Sequence, residues 1–201
     1  MDNLEAVYTV LCDAESWNWD VDDEHKLIFH SDGTGEITSV AQPCIWIVAI
    51  FEWKVHDPTT VQFRPEQTRR SWIQGLSSST EPPILRASIE FTLTKRRPLL
   101  FGQVVDIRRH INEHLLLDAA FEPRVLNITV KRGRFLSPSF GGNSSPDFIF
   151  QYRLTFDVSP YPAIEAWRPE THDMVESIGQ PKMIQFCARR LPPEPAGCVV
   201  M

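Results

Sequence analysis

At 201 residues, with 42% hydrophobic and 23% charged side chains, the chain is long enough for one substantial core and short for two. A formal charge of −6 argues against a nucleic-acid partner, which calls for a basic surface. The N-terminal residues have neither the basic nor the apolar region of a signal peptide, and the longest apolar run, Cys44 to Phe51, is far too short to span a bilayer. A cytoplasmic protein is the expectation.

Along the chain, strand patterns dominate. Leu4, Ala6, Tyr8, Val10 and Cys12 alternate with more polar neighbours and predict a short first strand. Residues 1–36 hold ten acids against one base, Lys26, and read as a solvated rim of loops. Asp20-Val21-Asp22-Asp23-Glu24 lacks the glycine and terminal glutamate spacing of a calcium loop. Lys26–His30 and Glu36–Val40 flank an Asp32-Gly33 step, a strong hairpin signal whose turn positions favour positive φ. Cys44–Val55 begins apolar on both faces and then alternates, as a long strand with one deeply buried end does. Further strands are predicted at Thr60–Arg64, Ile84–Lys95, Val125–Lys131, Phe148–Val158 and Met183–Arg189. Val104, Ile107, Ile111, Leu115 and Ala119 recur at helical spacing, and a second helix is expected after Pro169, over Glu170–Ile178.

About eight strands with one apolar face each predict a mostly-β protein built as an antiparallel β-barrel with one or two short helices. Residues 1–190 form the expected single domain. The segment 191–201 is a Pro-rich tail, because Leu191-Pro-Pro-Glu-Pro-Ala-Gly197 cannot join a helix or a central strand.

His25-Lys-Leu-Ile-Phe-His-Ser-Asp-Gly-Thr-Gly35, Phe51-Glu-Trp53 and Tyr152-Arg-Leu-Thr-Phe-Asp-Val-Ser-Pro-Tyr-Pro162 resemble a group of uncharacterised fungal proteins. The layout as a whole is similar to lipocalin-like barrels in architecture. An N-terminal G-x-W is absent, since Trp17 and Trp19 follow another pattern, so the resemblance carries no functional residue to this chain.

Cys198-Val199-Val200-Met201 satisfies every position of a CaaX box, a cysteine followed by two aliphatics and a methionine that selects farnesyl. Cys198 is therefore the expected lipidation site and a prenyltransferase the expected partner. One lipid chain gives weak, reversible binding, and Lys182, Arg189 and Arg190 make only a thin basic patch. A weak association with a cytosolic membrane surface follows.

His110-Ile-Asn-Glu-His114 matches the inverted zincin pattern H-x-x-E-H. The apolar seam Val104–Ile107–Ile111–Leu115 would face inward and leave both histidines near solvent. His110, Glu113 and His114 are thus weak metal candidates, and neither a metal nor a cofactor is expected. His30 beside Asp32 suggests an acid–base pair, but Asp32 is better used in the turn.

Three functional readings stay open. The first is a lipid-tethered barrel that binds a small apolar molecule, with Trp46, Phe51, Trp53, Phe91, Phe150 and Tyr152 as its lining. The second is a cofactor-independent isomerase or cyclase acting on an apolar substrate, which needs a shifted carboxylate or histidine inside the barrel. The third is a farnesylated interaction module, which needs an exposed apolar patch.

Overall fold

The computed structural model describes residues 2–41, 44–64, 82–100, 103–104, 112–139 and 148–192. Its strands are β1 (Trp17–Asn18), β2 (His25–Phe29), β3 (Thr34–Ala41), β4 (Cys44–Val55), β5 (Gln62–Phe63), β6 (Leu85–Leu93), β7 (Leu99–Leu100), β8 (Gln103–Val104), β9 (Arg124–Leu136), β10 (Ile149–Phe156) and β11 (Gln185–Arg190). The helices are α1 (Asn3–Cys12) and α2 (His172–Ile178), and short 3-10 turns lie between several of the later elements.

Nine strands make one sheet in the order β4-β3-β2-β1-β11-β10-β9-β6-β5, and β4 also pairs with β6. That extra pairing closes an antiparallel barrel. β6 offers its far edge to β4 over Ile89–Leu93 and to β5 over Leu85–Arg86, so β5 continues the edge where β4 stops. Closure removes the free edges that an open sheet would expose. β7 and β8 form a separate hairpin.

The period-2 pattern sets the inner face. Leu85, Ala87, Ile89, Phe91 and Leu93 of β6 are all buried, with Leu126, Ile128 and Val130 of β9 beside them. Midway along the barrel, Phe51 stacks on Phe91 at 4.4 Å between ring centres and meets Phe29 edge-on at 5.2 Å. The Phe51 ring lies over Gly35, its cross-strand partner. A Cβ at Gly35 would stand 2.2 Å from that ring and 2.4 Å from the Ile28 carbonyl oxygen, so only glycine fits. Each such ring contributes roughly 2–3 kcal/mol by leaving water.

The hairpin, the long strand β4, the strands β6, β9, β10 and β11 and the second helix all form near their expected positions. Three expectations are corrected. Leu4–Cys12 is helix, not strand. The Asp2 carboxylate accepts a hydrogen bond from the Leu4 N–H at the N-cap, and Glu5 follows three residues on, a capping-box spacing. Ala6, Val7 and Leu11 form the buried stripe at helical spacing.

The helix expected over Val104–Ala119 does not run through at its described ends. Val104 pairs with Leu99 in a hairpin, Asn112–Leu115 and Asp118–Phe121 are 3-10 turns, and Leu116 bridges to Trp167. Residues 105–111 lie outside the described residues.

In the hairpin turn, Gly33 alone takes positive φ, at +84°. Asp32 accepts instead from the Thr34 N–H and hydroxyl, at 2.9 and 2.6 Å. The loop is thus Ser31-Asp32-Gly33 with glycine in the left-handed position. Thr34 and Asp32 are a turn pair, and His30 lies instead 3.6 Å from Glu36.

Candidate functional site

The barrel has two differently built ends. At the end where β2 finishes and β6 begins, α1 lies across the mouth. Tyr8 packs on Trp53 at 4.7 Å, the Asn3 amide donates to the Val61 carbonyl, and the Trp17 indole N–H donates to the Leu11 carbonyl at 3.0 Å. Between the C-terminal half of α1 and the strand ends is a cleft of about 210 Å³, lined by Thr9, Val10, Asp13, Ala14, Trp17, Phe63, Arg64, Ile84, Tyr152 and Arg189. Its walls are apolar or aromatic, and its charges sit at the rim.

Two features of that rim are chemically specific. Arg189 has φ +56°, a left-handed conformation that a non-glycine residue adopts at a cost of about 1 kcal/mol or more. Its guanidinium lies 5.2 Å from the Tyr152 ring centre and donates to both the carboxylate and the backbone carbonyl of Asp13. Asp13 is the C-cap of α1, where unpaired carbonyls and the helix dipole favour a cation. Arg64, which lines the same cleft, is exposed.

At the other end, the segment from Ser159 to Met183 folds over the opening and is fastened by buried polar groups. Tyr161 donates to the Thr38 carbonyl at 2.6 Å, and Gln180 donates to the Ser39 hydroxyl at 2.6 Å. Ser159 donates to the carbonyls of Gln180 and Met183, at 2.8 and 3.1 Å. The Arg124 guanidinium donates to the carbonyls of Ser159, Pro160 and Tyr161. Burial pushes the Tyr161 phenol well above its ordinary range and the Arg124 guanidinium below its own.

Beside this cover lies a buried carboxylate–imidazole pair. Asp20 accepts from the backbone N–H groups of Asp22, Glu24 and His25, and its Oδ2 stands 2.9 Å from His25 Nδ1. Burial alone would raise the Asp20 carboxyl. The hydrogen bonds from the His25 side chain and the backbone outweigh it, and the group titrates below its usual value. His25 of β2 is the direct cross-strand partner of Ser39 on β3. Its ring meets Trp19 and Tyr161 edge-on, and its Nε2 is buried without a partner.

A second cleft of about 250 Å³ opens on the flank near this end, lined by Ala49, Leu93, Thr94, Lys95, Arg97, His114, Leu116 and Phe121. Lys95 there pairs with Asp118 and lies over the Phe121 ring.

The six expected lining residues fall in four places. Phe51 packs on Phe91 and Phe29 in the barrel centre, and Trp53 meets Phe29 there and Tyr8 at the mouth. Trp46 meets Trp167 at the covered end. Phe150 belongs to a small buried cluster with Phe135 and Cys187, whose thiol burial pushes up to about 11. Tyr152 lines the cleft beneath α1.

Sequence reasoning missed Asp20, His25, Asp13 and Arg189. The hairpin signal absorbed His25, and a scattered run of acids concealed the single buried one.

The described residues contain no group of three or more His, Cys, Asp or Glu side chains able to hold a metal. His110 lies outside them, as does the whole Cys198–Met201 box. No described helix is long and apolar enough to cross a membrane. No protein-family model, curated protein or solved structure matches this chain.

Proposed function

We propose that this protein is a small-molecule-binding β-barrel whose ligand is largely apolar and sits beneath α1. The cleft between Val10, Ala14, Trp17, Phe63, Ile84 and Tyr152 carries this reading, because it joins an apolar wall to a short charged rim. Specific ligand sites have that composition. At 210 Å³ the cleft is smaller than the ~300–1,000 Å³ of sites for drug-sized molecules, so a short chain or a single ring fits.

Trp17 supplies the signal. Titration with short-chain alcohols and single-ring aromatics should change its emission saturably in the full chain. Ala14→Phe, which fills the cleft from the helix side, should abolish the change. A linear response, or one unaffected by that substitution, would remove the reading.

The tether is a separate part of the proposal. Farnesyl transfer to Cys198 would place the lipid on a tail that leaves the barrel after β11, at the same end as the cleft. Intact mass of the chain expressed in a eukaryotic host, beside Cys198→Ser, tests it. A farnesyl addition with loss of Val199-Val200-Met201, absent from the variant, is the expected result.

His25 favours the cofactor-independent enzyme as a second reading, with its substrate at the covered end and not in the cleft beneath α1. An imidazole whose Nδ1 faces a carboxylate and whose Nε2 has no partner is the arrangement of a general base. Mass and chromatographic analysis of any bound ligand would show an isomer formed by the wild type and not by His25→Phe. Recovery of unchanged ligand from both would leave the binding reading. The interaction-module reading has less support, because among the described residues the exposed large apolar ones, Leu4, Leu117, Val125, Val158 and Met174, sit on separate elements.

A further inference from the structure

The cleft beneath α1 carries an instruction about the chemistry of its ligand, and the inference rests on the binding reading above. Its apolar wall would suit a hydrocarbon of any kind. The rim is not neutral. It carries two guanidinium groups, Arg64 and Arg189, and one carboxylate, Asp13. Arg189 is held in a left-handed backbone conformation near the end of a strand, where an extended one would cost nothing. It lies over the Tyr152 ring, which fixes one face of the guanidinium. Asp13 takes up part of its donor fork, in an ion pair whose partners are both substantially solvated. An exposed pair of this kind contributes about 0–1 kcal/mol and exchanges easily.

We propose that the cleft selects an amphipathic monocarboxylate. Its apolar part lies against Val10, Trp17, Phe63 and Ile84, and its carboxylate bridges Arg189 and Arg64, displacing the Asp13 side chain from Arg189. Arginine suits this role because its planar fork can pair two donors with one carboxylate. Asp13 is then an internal stand-in for the ligand's head group. It keeps Arg189 oriented while the cleft is unliganded and lowers affinity by competing for the same donors. Arg189 also donates to the Asp13 backbone carbonyl at the C-cap of α1, so a ligand that draws the guanidinium away loosens its hold on the last turn of the helix that roofs the cleft. Ligand entry and helix loosening are coupled through that one guanidinium.

Octanoate and 1-octanol, matched in chain length and differing in the head group, test the proposal by calorimetric titration of the full chain at neutral pH. Octanoate should bind about tenfold more tightly than the alcohol, the size expected of a charge-assisted contact weakened by solvent. Asp13→Asn should tighten octanoate several-fold and leave octanol unchanged. Arg189→Gln and Arg64→Gln should each bring octanoate toward the affinity of the alcohol. All three positions are at the rim, so thermal unfolding should show the variants folded. Equal binding of acid and alcohol, in wild type and Asp13→Asn alike, would overturn the carboxylate assignment and keep the apolar cleft. Binding of neither probe would overturn the binding reading itself.

Discussion

The two ends of this barrel are closed by different chemistry. Over the His25 end the chain is stitched down. Tyr161, Gln180, Ser159 and Arg124 direct donors at backbone carbonyls or a buried hydroxyl, and most of these groups are removed from water. Over the Phe29 end, α1 rests on apolar contacts and a few hydrogen bonds, with a solvated Asp13–Arg189 pair at its rim. A buried hydrogen bond is costly to leave unmade, whereas an exposed ion pair is not. We therefore expect the stitched end to open with the whole fold and the α1 end to open alone. Binding sites belong to regions of low local stability, which is a second reason to look for the ligand beneath α1.

Arg124 offers the sharpest way to break that contrast. Arg124→Met keeps most of the volume and removes the donors to three successive carbonyls. We expect a loss of about 3 kcal/mol in urea unfolding, since charged hydrogen bonds are worth about 1.5–3 kcal/mol each and are not additive. A loss below about 1 kcal/mol would mean that the cover is held by apolar packing instead.

Asp20 comes next. Asp20→Asn removes the charge that accepts three backbone N–H groups and faces His25, and should cost about 2 kcal/mol at pH 7. The pH dependence has a definite sign. The folded state holds this carboxyl below its unfolded value. Its contribution is therefore fully present above the ordinary carboxylate range and is lost as pH falls through the folded pKa. Wild type and Asp20→Asn should differ at pH 7 and converge as the solution is acidified below about pH 4, near the unfolded aspartate value. A constant difference over that range would show that the carboxyl is not depressed.

The barrel was legible because its strands alternate cleanly. Leu85-x-Ala87-x-Ile89-x-Phe91-x-Leu93 leaves little choice of face, and Asp32-Gly33 marks a turn. At the N-terminus, Leu4-x-Ala6-x-Tyr8-x-Val10 fits period 2, while Ala6, Val7 and Leu11 fit 3.6. The deciding signal was Asp2-x-x-Glu5, a cap and not a pattern of hydrophobicity. The site was far less visible. Trp46, Phe51, Trp53, Phe91, Phe150 and Tyr152 are alike in composition, and only tertiary packing separates a ring in the barrel centre from one at a cleft. Arg189 and Asp13 are 176 residues apart, and no local rule joins them. Nor does any sequence pattern mark the positive φ of Arg189.

The smallest expected effect tests whether the two ends are independent. Asp2 caps α1 through a long 3.4 Å contact with the Leu4 N–H, and Asp2→Ala should cost about 1 kcal/mol or less. The cost lowers global stability in either case, and the discriminating observable is the size of the opening. If α1 opens by itself, amides at Ala6 and Val7 should exchange faster than those of β6 and β9 and respond less to urea, in wild type and in Asp2→Ala. If α1 opens only with the barrel, amides of α1, β6 and β9 should share one opening free energy and one urea dependence, and Asp2→Ala should shift them by a common factor. The second pattern would make the roof of the cleft as fixed as the stitched end. A ligand would then have to enter past the rim at Arg64 and Arg189 without the helix moving, and the coupling between Arg189 and the last turn of α1 would have no moving part to act on.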